Sequence, residues 1–165
     1  MATTYEPIAT TTLGSAASSV TFSSISGTYT DLVLVSVPIV TAATTFAVRF
    51  NSDSTALYSA TILEGNGTSA ASTRVSAQTE IRISYVATSR TTNTSNIITQ
   101  IQNYSNATTY KTLLSRDNAA SDGTGAIVGL WRSTAAITSL TIIPLTGGSI
   151  INTGSIFTLY GIKAA

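Results

Sequence analysis

The chain has 165 residues and a net charge of +1, with 43% hydrophobic and only 9% charged residues. This length fits one domain with its own core, and the composition excludes a disordered chain, which needs few apolar residues and high net charge. With no cysteine and no histidine, the chain cannot form disulfides, thiolate metal sites or a histidine general base. Its eight basic residues are scattered singly, which argues against nucleic-acid binding.

The first twelve residues are extended in character, and Pro7 disfavours a helix there. Segment 1–12 is therefore either the first strand of the domain or an extended N-terminal arm that reaches a neighbouring subunit. We expect no secretory signal, because a charged region followed by an apolar region is missing near the start. The longest apolar stretch, 32–40, is far shorter than the ~20 residues of a membrane helix.

Apolar residues in the first half of the chain alternate with polar ones, which predicts strands rather than helices. The predicted strands are 19–23, 31–41, 45–51 and 57–63. The run 31–41 begins with apolar residues on both faces, as expected of a central strand. Pro38 cannot donate a ladder hydrogen bond, so the far end of this run should lie at an edge or a bulge.

Alternation of apolar and polar residues continues along the rest of the chain. Two polar segments, 65–78 and 88–94, interrupt it, and we interpret them as loops. The predicted strands are 80–86, 96–104, 110–117, 126–132, 137–145 and 155–163. Nine or ten short strands at this spacing predict an all-β fold. We expect a single domain over 1–165, built as a two-sheet antiparallel β-sandwich with jelly-roll topology.

The acidic residues do not form a pattern typical of an enzyme. They are Glu6, Asp31, Asp53, Glu64, Glu80, Asp117 and Asp122, and they are dispersed along the chain. The best remaining enzyme hypothesis is glycoside hydrolysis by a carboxylate pair that would include Glu64 or Glu80. Asp117, Asn118 and Asp122 offer oxygen ligands of the kind calcium prefers, but their spacing lacks the EF-hand order and is typical of turns. We predict no enzyme and no catalytic, metal-binding or cofactor-binding residue.

Trp131 is the single tryptophan of the chain. An exposed tryptophan could serve as a sugar-binding platform or as an interface anchor. Its place in a strand-like segment favours the alternative, a position in the core or at its rim.

Several segments carry a resemblance to a known group of proteins. They are YEPIATTTLG (5–14), SVTFSSISGTYTDLVLV (19–35), GLWRSTAAITSLTI (129–142) and FTLYGIK (157–163). Together they resemble small virion structural proteins of tailed bacteriophages, including those of cyanobacteria and other aquatic hosts. The resemblance implies a place on the outer surface of a virion and synthesis in the host cytoplasm.

Two functions compete within this resemblance. A capsid decoration (cement) protein would bind the major capsid protein at capsomer junctions, as a homo-oligomer and most simply a trimer. A tail-fibre or spike tip would instead bind a host-surface receptor or glycan. The chain has neither an attachment domain nor a repetitive shaft, which favours decoration. In both cases we expect no nucleic-acid or membrane partner.

Overall fold

The computed structural model describes residues 4–85, 95–119, 122–146, 148 and 150–163. Over these residues the chain forms twelve β-strands and no helix. The strands make two antiparallel sheets of eight and four strands, which pack as a β-sandwich. The predicted all-β, two-sheet fold is confirmed. The jelly-roll topology stays a prediction.

The larger sheet contains β1 (Tyr5–Thr12), β3 (Asp31–Val37), β5 (Tyr58–Gly65), β6 (Ala70–Gln78), β8 (Asn96–Gln102), β9 (Lys111–Ala119), β10 (Gly123–Trp131) and β12 (Ile156–Ile162). Its spatial order is β1-β12-β3-β8-β9-β10-β5-β6. The smaller sheet contains β2 (Val20–Phe22), β4 (Phe46–Phe50), β7 (Ile81–Arg82) and β11 (Leu140–Pro144), in the order β2-β11-β4-β7.

Alternation of apolar and polar residues forms these strands because successive side chains point to opposite faces. Strand β9 follows the rule along its whole length, with every second side chain buried. Strand β3 lies between β12 and β8, the central position that its apolar run predicted. It ends at Val37, immediately before Pro38, which has no N–H to continue the ladder.

One face of the larger sheet, here called the inner face, packs against the smaller sheet. Trp131 of β10 meets Phe50 of β4, with ring centroids 5.5 Å apart. A Cβ placed on Gly129 of β10 would lie 2.5 Å from Cγ2 of Ile81 in β7, so a residue without a side chain allows the two sheets to approach there. The opposite face of the larger sheet is called the outer face below.

Several buried hydroxyl groups hydrogen-bond to backbone groups of this interior. Ser115 on β9 donates to the carbonyl of Ile83 at 2.6 Å, and Ser84 accepts from the N–H of Phe46 at 2.8 Å. About one residue in three is serine or threonine, and part of that content therefore lies inside, where it satisfies backbone groups that would otherwise be buried without a partner.

The interpretation of segment 65–78 as a loop is wrong, because β5 continues to Gly65 and β6 occupies Ala70–Gln78. No side chain of β6 is fully buried. Val75 is the residue of β6 that packs against the core, and a strand that is otherwise exposed needs no apolar alternation, so the sequence lacks a period-two signal there.

Two further expectations come out differently in detail. Within the described part of the predicted strand 80–86, only Ile81–Arg82 forms a strand, because the N–H of Phe46 donates to the Ser84 hydroxyl and the Ile83 carbonyl accepts from Ser115 in place of the next ladder bond. Segment 1–12 supplies an edge strand, since Tyr5–Thr12 pairs with β12. The predicted loop 88–94 lies outside the described residues.

Candidate functional site

The outer face of the larger sheet carries exposed apolar side chains. Leu63, Leu114 and Val128 are 55%, 48% and 55% exposed, and they lie on the adjacent strands β5, β9 and β10. Tyr5 on β1 and Ile156 on β12 are also exposed, at the other side of the same sheet. The solvent face of an antiparallel sheet is normally polar, so this cluster is a candidate interaction surface.

These side chains border a shallow groove of about 310 Å³, which we call the outer-face groove. Val128 is paired with Leu114 on one side and with Thr61 on the other, and Leu63 is paired with Ala126. The groove is lined by Thr61, Leu63, Ile98, Gln100, Leu114, Arg116, Ala126 and Val128, with parts of Ser115 and Ile127 beneath. Every lining residue belongs to a paired strand of the larger sheet.

Pairs of consecutive apolar residues in the sequence indicate this surface. Consecutive apolar residues occur in 62–63, 113–114 and 127–128. In a strand, one member of each pair must point outwards. The inner members are Ile62, Leu113 and Ile127, which are at most 2% exposed, and the outer members are the three exposed side chains of the groove.

Arg116 gives the outer-face groove its charge. It is the one charged residue among those that line the groove, between Ala126 on β10 and Ile98 on β8. A second cation, Arg74, is paired with Thr61 at the groove's edge. The surface therefore suits a partner that is apolar with a carboxylate placed to meet Arg116.

The acids proposed for glycoside hydrolysis are engaged with arginines. Glu80 accepts from Arg49 at 2.7 Å, and Glu64 lies 3.5 Å from Arg82. Glu64 and Asp117 do flank Gly125 on the inner face, but the side chain of Tyr85 fills the space above this glycine, where an added Cβ would lie 3.0 Å from the Cβ of Tyr85.

The residues considered for calcium do not converge. Asp117 and Asn118 are neighbours within β9, so Asp117 is buried on the inner face while Asn118 is exposed on the outer face. Asp122 lies in the turn before β10. Within the described ranges, no group of three or more acidic residues could hold a metal ion.

Asp117 is nevertheless an unusual carboxylate. It is 5% exposed, and its Oδ2 accepts from the backbone N–H of Tyr85 at 3.0 Å. Burial raises the pKa of Asp117 to about 6, against the lowering effects of the Tyr85 N–H and of the Arg82 guanidinium. Because this pKa is higher than in the unfolded chain, the folded state gains a proton, and stability, as the pH falls through 6.

We therefore expect the free energy of unfolding to be about 1–1.5 kcal/mol higher at pH 5 than at pH 7.5 because of Asp117. The chain has no histidine to titrate in this window. Urea denaturation at both pH values checks the effect, and D117N is the control that should remove it. An equally steep pH dependence in D117N would contradict the assignment.

Trp131 and Lys111 both point into the interior. Trp131 is 2% exposed, which confirms the core position. Lys111, 1% exposed, donates from Nζ to the carbonyls of Thr109 and Thr134 at 2.6 and 3.2 Å. Burial lowers the pKa of Lys111. Its ammonium group joins two loops at one end of the sandwich.

The comparisons with known proteins give no relative. The chain matches no protein-family model, no curated protein and no solved structure at a significant level. Across the described residues, there is also no helix of the length and apolarity that crossing a membrane requires.

Proposed function

We propose that this chain is a non-enzymatic structural protein of a virus particle, a capsid decoration protein that binds the outer surface of the capsid through its outer face. The observation that carries the proposal is the cluster of exposed Leu63, Leu114 and Val128 on adjacent strands of the larger sheet. The phage setting comes from the sequence resemblance, and the β-sandwich is compatible with it.

The expected occupant of the outer-face groove is a surface segment of the major capsid protein with apolar side chains and one acidic residue. Apolar contacts would supply most of the binding free energy, because burial is worth about 25 cal/mol per Å². Arg116 would fix the orientation through a charge-assisted hydrogen bond to the carboxylate. Many copies on one particle would allow modest contacts per subunit to hold neighbouring capsomers together.

Quantitative mass spectrometry of purified particles, in which the chain is counted against the major capsid protein, tests the setting. Hundreds of copies on the head support decoration. A few copies restricted to the tail would favour a tail-fibre or spike tip instead, and absence from the particle would overturn the virion role.

A matched pair of variants tests the surface. Leu114→Gln should weaken binding of the purified chain to particles that lack it by about fivefold or more, since truncation of a hot-spot residue at the centre of an interface costs more than about 1 kcal/mol. Its stability should change by less than about 0.5 kcal/mol, because the side chain is already exposed. Leu145→Gln is the control, an exposed leucine outside the large sheet. Equal binding by both variants would exclude the outer-face groove as the contact.

A further inference from the structure

Strand β6 is an edge of the larger sheet with an unpaired side. It pairs with β5, and among the described residues no strand pairs with its other side. It is nine residues long, with a burial pattern in which seven residues are exposed. Natural proteins usually shorten or block such an edge, because its free N–H and C=O groups can pair with another chain.

The opposite edge of the same sheet is blocked in the usual way. Strand β1 contains Pro7 and a register shift between Pro7 and Ala9, and both features hinder further pairing. Segment 70–75 of β6 has no proline and keeps regular register with β5. The bulge of β6 lies beyond it, where Ala77 has φ +53°.

The hairpin geometry identifies the free backbone groups. At the turn between β5 and β6, the N–H of Asn66 donates to the carbonyl of Ser69 at 3.2 Å. Hydrogen-bonded and non-hydrogen-bonded pairs alternate along an antiparallel ladder. The 66–69 pair is hydrogen-bonded, and so is every second pair after it. The pairs that contain Ala70, Ser72 and Arg74 are therefore non-hydrogen-bonded, and these three residues direct their N–H and C=O groups away from β5.

We infer that two copies of this chain pair through their β6 edges, antiparallel, about a two-fold axis at Ser72. Ser72 then faces Ser72 of the second copy, and Ala70 faces Arg74. By symmetry, Arg74 also faces Ala70 of the second copy, which makes three pairs. Each pair exchanges two backbone hydrogen bonds, about six in all. The register also places alanine, not a second arginine, opposite Arg74, so no like charges are directly opposed.

This pairing determines how the two outer faces lie. Ser72 is paired with Leu63 within the chain, so its side chain points to the outer face, and paired residues share a face of the sheet. Both outer faces therefore lie on the same side of the joined sheets. One dimer presents two outer-face grooves to the same partner surface. The inference rests on the edge of β6 and does not depend on the phage setting.

Cysteine cross-linking tests the register directly, because the chain has no native cysteine. In a hydrogen-bonded antiparallel pair the Cα atoms are about 5.5 Å apart, within the range that a disulfide spans. Ser72→Cys should therefore form a covalent dimer when diamide oxidises the two thiols. Arg74→Cys is the control: the two copies of residue 74 lie four residues apart along the strand direction, roughly 13 Å, and should not cross-link.

Sedimentation velocity tests the association of the unmodified chain. We expect a dimer, and we expect Ser72→Pro to weaken it at least about tenfold by removing the central N–H donors. Ser72→Ala keeps the N–H and should still dimerise. Retained fluorescence of the buried Trp131 shows that Ser72→Pro is folded.

A monomeric wild-type chain, a trimer, cross-linking of Arg74→Cys in place of Ser72→Cys, or equal dimerisation of the folded proline variant would overturn the two-fold pairing. A confirmed dimer that is absent from virus particles would leave this inference standing and remove the proposed function.

Discussion

Replacing Trp131 by alanine should lower the free energy of unfolding by about 4 kcal/mol, within the range for buried tryptophan-to-alanine changes. The indole stacks on Tyr58 with ring centroids 6.1 Å apart and an interplanar angle of 14°, and it packs against Phe50 of the smaller sheet. Its Nε1–H donates to Asp53 Oδ2 at 2.8 Å. The substitution therefore removes contacts between the sheets and a hydrogen bond to the turn after β4 at once.

Urea denaturation followed by far-ultraviolet circular dichroism measures this loss, since the variant has no tryptophan fluorescence. W131F separates the two contributions: it keeps an aromatic ring but removes the N–H, and should cost about 1–2 kcal/mol. Tyr110→Ala, at a side chain that is 54% exposed, should change stability by less than about 0.5 kcal/mol. A loss for W131A no larger than that of the tyrosine control would mean that the aromatic cluster does not hold the sheets together.

The second large effect is expected at Gly129, where Gly129→Val should cost about 3 kcal/mol or more. A Cβ at this position would lie 2.5 Å from Cγ2 of Ile81 and 3.0 Å from Cγ of Leu113. Both neighbours are short branched side chains that are at most 1% exposed, so neither can move without displacing the core. Overpacking of a close-packed interior typically costs 1–3 kcal/mol, and the two further methyl groups of valine add to it.

Gly65→Val is the matched control, because Gly65 also lies in a paired strand and a Cβ there would meet its nearest atom at an ordinary 3.8 Å. It should be neutral or slightly stabilising, since β-branched residues suit strands better than glycine. Thermal unfolding of both variants checks the difference. A Gly129→Val protein as stable as Gly65→Val would show that the sheets can separate locally at low cost.

The sequence largely predicts where the strands lie, because a strand that buries one face has an apolar residue at every second position. Strands β3, β9 and β12 agree with their predicted segments within two residues at most boundaries, except at 38–41, where Pro38 ends the ladder. Strand β6 was missed for the complementary reason. It buries no complete side chain and packs Val75 against the core, so its sequence needs no alternating apolar pattern, and its regular pairing with β5 defines it as a strand.

The outer-face groove was likewise only partly predictable from the sequence. The residues of the outer-face groove come from β5, β8, β9 and β10, and only the order of these strands in the sheet brings Leu63 beside Ala126 and Arg116. The sequence could indicate that 62–63, 113–114 and 127–128 each send one apolar residue outwards. It could not show that the three outward side chains meet, since pairing joins residues far apart in the chain.

By itself, the sequence determined the all-β class and the lack of histidine and cysteine chemistry. These follow from composition and from local alternation, which every strand carries in its own residues. The tertiary structure alone decided which face of each strand is covered, that Asp117 is buried beside Tyr85, and that none of the described strands pairs with the other side of β6. Those properties depend on which strands become neighbours, and the free energy that selects the neighbours comes from packing across the two sheets.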